Sequence, residues 1–553
     1  MDVFSLAACG VCVLVLLYVS CPRRPTNFPP GPRWLPLVGS LPQLRRLSRR
    51  LGHMHLALLK LSELHDSPVV GLKLGGRAVV CVGSWDLVKR VLTGDEFAGR
   101  PDSFFSRLRS MGTRRGITFT DGPLWREQRH FVSRQLRQLG LGKRPMERAV
   151  LEELAQLTAA LGAEQGPVSL APHLSTAVLN VLLTLVAGAR FSHGDPRLLG
   201  VLALMERRAR CLDAAGGVLS HAPWLRHFLP GLTGYSLLLQ LNAELSRVLT
   251  DIIDAHKLTY NQDETRDLID AFIGEMRKNG DTPSTFTEDQ LLMVCVDLFI
   301  AGSQTTSSQL GFALQQILLR PEVQARVHAE LDGVLGADEA PRLEHQDRCA
   351  LVLVLVRVLV RVFVRVLVRV LLRPEVQARV HAELDGVLGA DEAPRLEHQD
   401  RLPYTCAVLL EVQRMYPVVP VSGPRRVLKD TKLLNYDIPK DTTVLLNLWP
   451  VHMDEGHWGD PRSFRPERFL DRSGAVAADS WLLTFGLGKR RCLGEALARS
   501  CLFTFFAGIL QRYQLLRAPG QQLPRDEPRP GLTMSPQPYS VLLRPRQPTT
   551  HCH

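Results

Sequence analysis

The chain has 553 residues, 45% of them hydrophobic and 22% charged, a globular-class composition with ample apolar material for a large buried core. A formal net charge of +12 fits an anionic membrane surface, an acidic protein partner or nucleic acid equally well, but no nucleic-acid module can be read from the motifs. The eleven cysteines lack the paired spacing of a disulfide framework or a zinc site, so a reducing, cytosol-facing compartment is the simpler reading.

Residues 3–21 are almost entirely apolar and uncharged, just long enough to span a hydrocarbon core of about 30 Å. Arg23 and Arg24 follow at once, whereas a cleavable signal carries its basic residues before the apolar run. Residues 1–22 are therefore expected to be a signal anchor with the body on the cytosolic side. Residues 23–40, containing Phe28-Pro29-Pro30-Gly31-Pro32, read as a stiff hinge that denies the backbone helix. Residues 69–74 and 77–82, separated by Gly75-Gly76, predict a β-hairpin, with a helix over 86–92. Helical periodicity then runs through 146–161, 178–186, 237–256, 289–319 and 492–510. Residues 41–553 are thus expected to form a single large domain, mainly α with a minor β-sheet.

One region is abnormal. Residues 318–348 recur without change as 371–401, an offset of 53, and the low-complexity stretch 349–370 between them is mostly Val, Leu and Arg. A structural repeat family shows divergence and more than two copies. The region therefore reads as a recent duplication or a gene-model error, an insertion of 53 residues with no catalytic role, because low-complexity sequence offers no convergent polar groups.

The strongest chemical signal is Phe485-Gly486-Leu487-Gly488-Lys489-Arg490-Arg491-Cys492-Leu493-Gly494. Here a cysteine sits where a glycine-rich loop enters an apolar helix, so the helix N-terminus and free backbone N–H groups can stabilise a thiolate. Gly488 and Gly494 permit tight turns and close approach of the backbone to a flat cofactor. The pattern Phe-x-x-Gly-x-Arg-x-Cys-x-Gly resembles the signature of the cytochrome P450 family. That resemblance implies the cytochrome P450 fold, haem b, and Cys492 as axial ligand of the haem iron.

Further matches follow the family's order. Trp125 and Arg129, one helical turn apart, suit a haem propionate. Arg100, Arg490 and one of Arg425 or Arg426 are further propionate candidates by resemblance, with Arg425 standing where relatives often have histidine. Glu411, Arg414 and Arg468 are implied to form a buried structural brace behind the cysteine loop. In the 289–319 helix, small Ala301 and Gly302 let the backbone approach the distal haem face, and the Thr305 hydroxyl can bend the helix and organise water. Gln304 stands where an acid is usual, and an amide positions water but carries no proton.

Apolar Phe104, Phe105, Phe299, Val419 and Val421 are expected to line a substrate pocket, with Arg107, Arg109 or Arg115 available for a carboxylate or ester end. Residues 224–232 can dip into a membrane and admit lipophilic substrate. Lys489 and Arg491 would steer an acidic electron donor. By resemblance the donor is NADPH-cytochrome P450 reductase, with cytochrome b5 as a further partner, and the location is the endoplasmic reticulum membrane. Residues 27–36, 99–102 and 119–122 are most similar to arthropod farnesoate and methyl farnesoate epoxidases of juvenile hormone synthesis. Two other readings stay open. One is a haem-thiolate isomerase or dehydratase of oxidised lipids, which Gln304 permits and Thr305 disfavours. The other is a non-catalytic product, because the insertion lies between the distal helix and the brace helix.

Overall fold

The computed structural model describes residues 24–210, 219–220, 222–280, 282–334, 394–531 and 533–546. The expected anchor at 1–22 and the low-complexity stretch 349–370 lie outside them. The hairpin forms as predicted, with β1 (Val69–Leu74) antiparallel to β2 (Arg77–Val82) around Gly75, whose φ of 60° suits glycine. Two distant strands complete this sheet: β3 (Val421–Arg426) and β4 (Thr443–Asn447), in the order β1-β2-β4-β3, with β2 and β4 parallel.

Six helices position the site: α1 (Gly122–Gln138), α2 (Arg144–Ala163), α3 (Leu170–Ala187), α4 (Glu288–Leu319), α5 (Pro403–Met415) and α6 (Glu495–Arg512). The long α4 starts where the Thr287 side chain accepts a hydrogen bond from the Gln290 N–H, a cap of the kind that stabilises a helix by about 1 kcal/mol. Helices α3 and α4 are long and apolar enough to cross a membrane, but they are 72% and 61% buried inside the protein. They are core helices. Their apolar all-round character follows from packing between α2, α6 and each other, where Leu179, Leu182, Phe312, Phe503 and Phe506 share one core.

The proline-rich run departs from the expected hinge. From Phe28 onward it lies against the sheet: Phe28 is buried, the Gly71 N–H donates to the Pro30 carbonyl at 2.7 Å, and a Cβ on Gly31 would sit 2.1 Å from the Gly71 oxygen. Prolines leave a segment extended with few donors of its own, and β1 supplies the missing partner.

The duplication is resolved by division of labour. A helix over Pro321–Val334 comes from the first copy, and the turn Leu396–Arg401 comes from the second. The Gln324 amide pairs with both backbone groups of Leu515, at 3.0 and 2.6 Å, and the Leu396 N–H donates to Glu147 at 2.8 Å. These described pieces together draw on a single copy's worth of sequence. Deleting residues 335–387, which joins the two copies at equivalent positions, is therefore expected to preserve folding and haem uptake. The test is the carbon monoxide difference spectrum of the reduced protein, and a lost thiolate-type Soret band in the shortened chain would contradict it.

Candidate active site

The cysteine loop is built by its glycines. Gly486 and Gly488 adopt φ of 67° and 68°, and the Cys492 N–H closes the loop onto the Phe485 carbonyl at 2.9 Å. A Cβ at Gly488 would lie 2.5 Å from the Leu92 carbonyl, so this glycine accommodates the chain's own neighbouring helix, not the cofactor. Around Gly494 that space is open. Helix α6 begins at Glu495 rather than at the cysteine, with Gly494 as its cap.

Cys492 lies deep among surrounding atoms, yet its side chain is open to solvent. Burial pushes its thiol up, while the Gly494 N–H and the Arg129 guanidinium pull the other way. A cation at the sulfur would complete this balance. Arg129, on α1, reaches the loop directly and donates to the Arg491 carbonyl at 2.6 Å.

Beside the cysteine loop stands a cluster of cations. Arg100 donates to the carbonyls of Thr118, Gly423 and Pro424 at 3.0, 2.8 and 2.7 Å. Arg490 donates to Ala98 and Thr120 at 3.0 and 2.9 Å and lies 3.6 Å over the Trp125 ring. Burial, then repulsion from Arg425, brings Arg490 down to about 9, and burial brings Arg425 to about 10. Arg100 is also lowered, by burial and then by Arg425 and Arg490. The Nε of Arg425 and Nη1 of Arg490 are buried without a hydrogen-bond partner.

Unpaired buried guanidinium groups are costly, and repulsion adds to the cost, so the cluster suits a ligand carrying more than one carboxylate. The structure also chooses between two adjacent candidates. Arg426 is committed to Asp121 and Asp441 at 2.8 and 2.7 Å, whereas Arg425 is buried and has no acidic partner within 4 Å among the described residues. The donor set therefore fits haem: Cys492 for the iron, and Arg100, Arg425, Arg490 and Trp125 for the propionate edge.

The brace residues meet despite the insertion. Glu411 on α5 takes both Arg414 donors at 2.7 and 2.8 Å, Arg468 Nε at 3.0 Å and the Arg465 N–H at 2.9 Å. Arg414 also donates to the His452 and Pro461 carbonyls, both at 2.8 Å. The side chains of Glu411, Arg414 and Arg468 are all buried.

On α4, Ala301 is exposed although most of the helix is buried, which requires a gap in the packing on that face. Asp297, Ala301 and Thr305 recur every four residues and share that side. The Thr305 hydroxyl donates to the Ala301 carbonyl at 2.7 Å, as the sequence suggests, and keeps its lone pairs available. Gly302 has a different reason from the one expected. A Cβ there would strike Leu182 of α3 at 2.8 Å, so it permits helix packing and not approach to the cofactor.

The substrate residues divide. Phe299 is 2% exposed and belongs to the main core, because it faces away from the Ala301 side. Phe104 and Phe105 pack on Leu108, Leu219 and Leu238, and Phe104 meets Tyr235 at 6.0 Å. Val419 and Val421 are half-buried at the entry to β3. Lys489 and Arg491 are each ion-paired, with Asp95 at 2.7 Å and with Glu495 at 2.6 Å, a carboxylate that Arg499 shares at 3.1 Å. Sequence reasoning missed Asp121, the acid within the arginine cluster, and Asp297, whose carboxylate accepts the Ile117 and Thr118 N–H groups at 2.8 and 2.9 Å. Asp121 precedes the predicted Trp125 by one turn; for Asp297 the only signal is an acid inside an apolar helix.

A family model described as Cytochrome P450 matches residues 29–355 and 364–543. The chain belongs to the cytochrome P450 family. Its relatives include "Probable cytochrome P450 305a1" of Drosophila melanogaster, 38% identical over 542 residues and covering 96% of this chain and 97% of that one. "Farnesoate epoxidase" of Bombyx mori is 34% identical over 544 residues, covering 98% and 99%. "Cytochrome P450 2J1" of Oryctolagus cuniculus is 32% identical over 543 residues, covering 97% and 95%. This P450 is accordingly a haem-thiolate protein of a monooxygenase family, whose members typically draw electrons from NADPH through a reductase. The haem-thiolate property fits the thiol and the cation cluster described above.

Proposed function

We propose that this P450 inserts one oxygen atom into a lipophilic, sesquiterpenoid-sized substrate such as farnesoate or methyl farnesoate, most simply by epoxidation. The observation that carries the reading is the gap beside Ala301 on α4, with Thr305 on the same face. When bound, haem supplies the oxygen activation, and an anionic sulfur on its iron favours O–O cleavage. Cys492 provides that sulfur, Arg100, Arg129, Arg425 and Arg490 with Trp125 hold the cofactor edge, and Glu411, Arg414 and Arg468 fix the loop behind it. Thr305 orients water through its hydroxyl, and Gln304 positions water without exchanging a proton.

Trp224, Phe228 and Leu232 are 59%, 74% and 85% exposed, and Leu35 and Leu37 are exposed too. Such apolar tips support insertion into the endoplasmic reticulum membrane, with the body on the cytosolic side and substrate entering from lipid. NADPH-cytochrome P450 reductase, with cytochrome b5 as a second donor, is the proposed partner. Its docking surface is better supplied by exposed His130, Arg134 and Arg137 on α1, with Lys143 after it, than by the paired Lys489 and Arg491. This helix also carries Arg129 to the cysteine loop.

The test is turnover in reductase-containing microsomes under isotopically labelled molecular oxygen, with farnesoate and methyl farnesoate as substrates. The expected result is a product carrying one labelled oxygen atom and formed only with NADPH. Conversion of pre-oxidised lipid without NADPH would replace this reading with the isomerase one.

A further inference from the structure

Of the three arginines near the substrate region, two are committed. Arg107 is bound by both oxygens of Asp102, at 2.8 Å each, and Arg115 pairs with Asp289 at 2.6 Å. Arg109 is different. Its guanidinium lies 4.6 Å from the centre of the Phe119 ring and makes no hydrogen bond or ion pair among the described residues. Its backbone is fixed, because the Arg109 carbonyl accepts from Arg208 at 2.6 Å and Arg208 is itself bound to Asn242 at 2.9 Å.

The position is tied to the distal helix. Phe119 follows Thr118, whose N–H donates to Asp297 on α4 at 2.9 Å. Asp297 spends Oδ2 on two backbone N–H groups, and it stands beyond 4 Å from Arg109 although close enough for their charges to interact. The carboxylate thus secures the loop and leaves the donors of Arg109 free. Asp297 lies on the face of Ala301 and Thr305, so the loop that carries Phe119, on which Arg109 stacks, is tied to that face of the helix.

We propose that Arg109 is a specificity-determining residue that binds the carboxylate of the substrate, so that this P450 takes apolar acids in preference to their esters. The inference deepens the sesquiterpenoid reading and rests on it for the site, though not for the carbon skeleton. A planar guanidinium with free donors matches a carboxylate in two parallel hydrogen bonds, which an ester cannot accept as an anion. Stacking on Phe119 holds the fork in place without using its donors.

The experiment titrates the haem-loaded full-length chain with four probes: farnesoate, methyl farnesoate, dodecanoate and methyl dodecanoate. The readout is the substrate-induced change in the haem absorption spectrum. The native chain should bind each acid more tightly than its ester. R109L should weaken both acids about 10- to 100-fold and leave the esters within about twofold, as expected for losing hydrogen bonds to a charged group. R109K should restore part of the acid preference. If R109L fails to incorporate haem, R109Q serves in its place, because it keeps a polar head while losing the charge.

An acid-to-ester ratio unchanged by both R109L and R109Q would overturn the proposal, as would native chain that binds neither acid. Tight, Arg109-dependent binding of dodecanoate with no response to farnesoate would uphold the proposal and sink the sesquiterpenoid reading instead.

Discussion

Replacing Glu411 by alanine is expected to destabilise the protein by about 3–5 kcal/mol, the cost of leaving buried charge uncompensated. Glu411 is fully buried and is the common acceptor for Arg414, Arg468 and the Arg465 N–H. Without it, two guanidinium groups that are themselves almost wholly buried lose their shared buried acid: Arg414 keeps the His452 and Pro461 carbonyls, and Arg468 keeps backbone carbonyls and the half-exposed Asp460 carboxylate at 3.3 Å. Glu411→Gln retains an acceptor and should cost less, so the order native, glutamine, alanine is the signature. Urea unfolding of the reduced, carbon monoxide-bound protein reads it, with loss of the thiolate-type band preceding global unfolding. Equal stability of all three proteins would remove the brace from this account.

The second large effect is at the sulfur. Cys492→Ser should abolish the thiolate-type Soret band and all oxygen insertion, since a hydroxyl is neither ionised nor an effective electron donor to iron at neutral pH. Folding should survive, because the side chain is open to solvent and packs little of the core. Far-ultraviolet circular dichroism alongside the difference spectrum separates the two effects. A serine variant that kept the band would show that another cysteine serves as ligand, and among the described residues the others are Cys81, Cys295, Cys406 and Cys501. That outcome conflicts with their inner positions: three of them are buried, and burial pushes all four up to about 12.

Much of the fold is legible in the sequence because its periodicity is strong. The 289–319 prediction meets α4 at Glu288–Leu319, and the hairpin meets β1 and β2 residue for residue. The short predictions fall inside longer helices: 146–161 within Arg144–Ala163 and 178–186 within Leu170–Ala187. Helix ends are set by caps and neighbours that an apolar pattern does not contain. Strands β3 and β4 escaped notice for a related reason. Their pairing joins residues far apart in the chain, and β3 carries a proline and a bulge between Ser422 and Arg425.

The glycines show the same division. Sequence marks Gly302 and Gly488 as places of close approach, and close approach is found, but the partners are Leu182 and the Leu92 carbonyl. A missing Cβ announces that something comes near without saying what.

By itself the sequence determined the class of chemistry. A cysteine in a glycine-rich loop before an apolar helix, with Glu411 and Arg414 three residues apart on an earlier helix, is local information, written in spacings that any fold must respect. Tertiary structure decided the assignments that depend on competition for partners. It gave Arg426 to Asp121 and Asp441 and left the Nε of Arg425 buried without a hydrogen-bond partner. It paired Lys489 and Arg491, moved Phe299 into the core, and left Arg109 with free donors. It also seated one helix from the first copy of the duplication and one turn from the second, and brought Arg468 to Glu411 from 57 residues away. The physical reason is that a charge acquires its role from which opposite charge lies within 4 Å, and for Arg426 with Asp121 and Lys489 with Asp95 that distance is set by chain segments hundreds of residues apart.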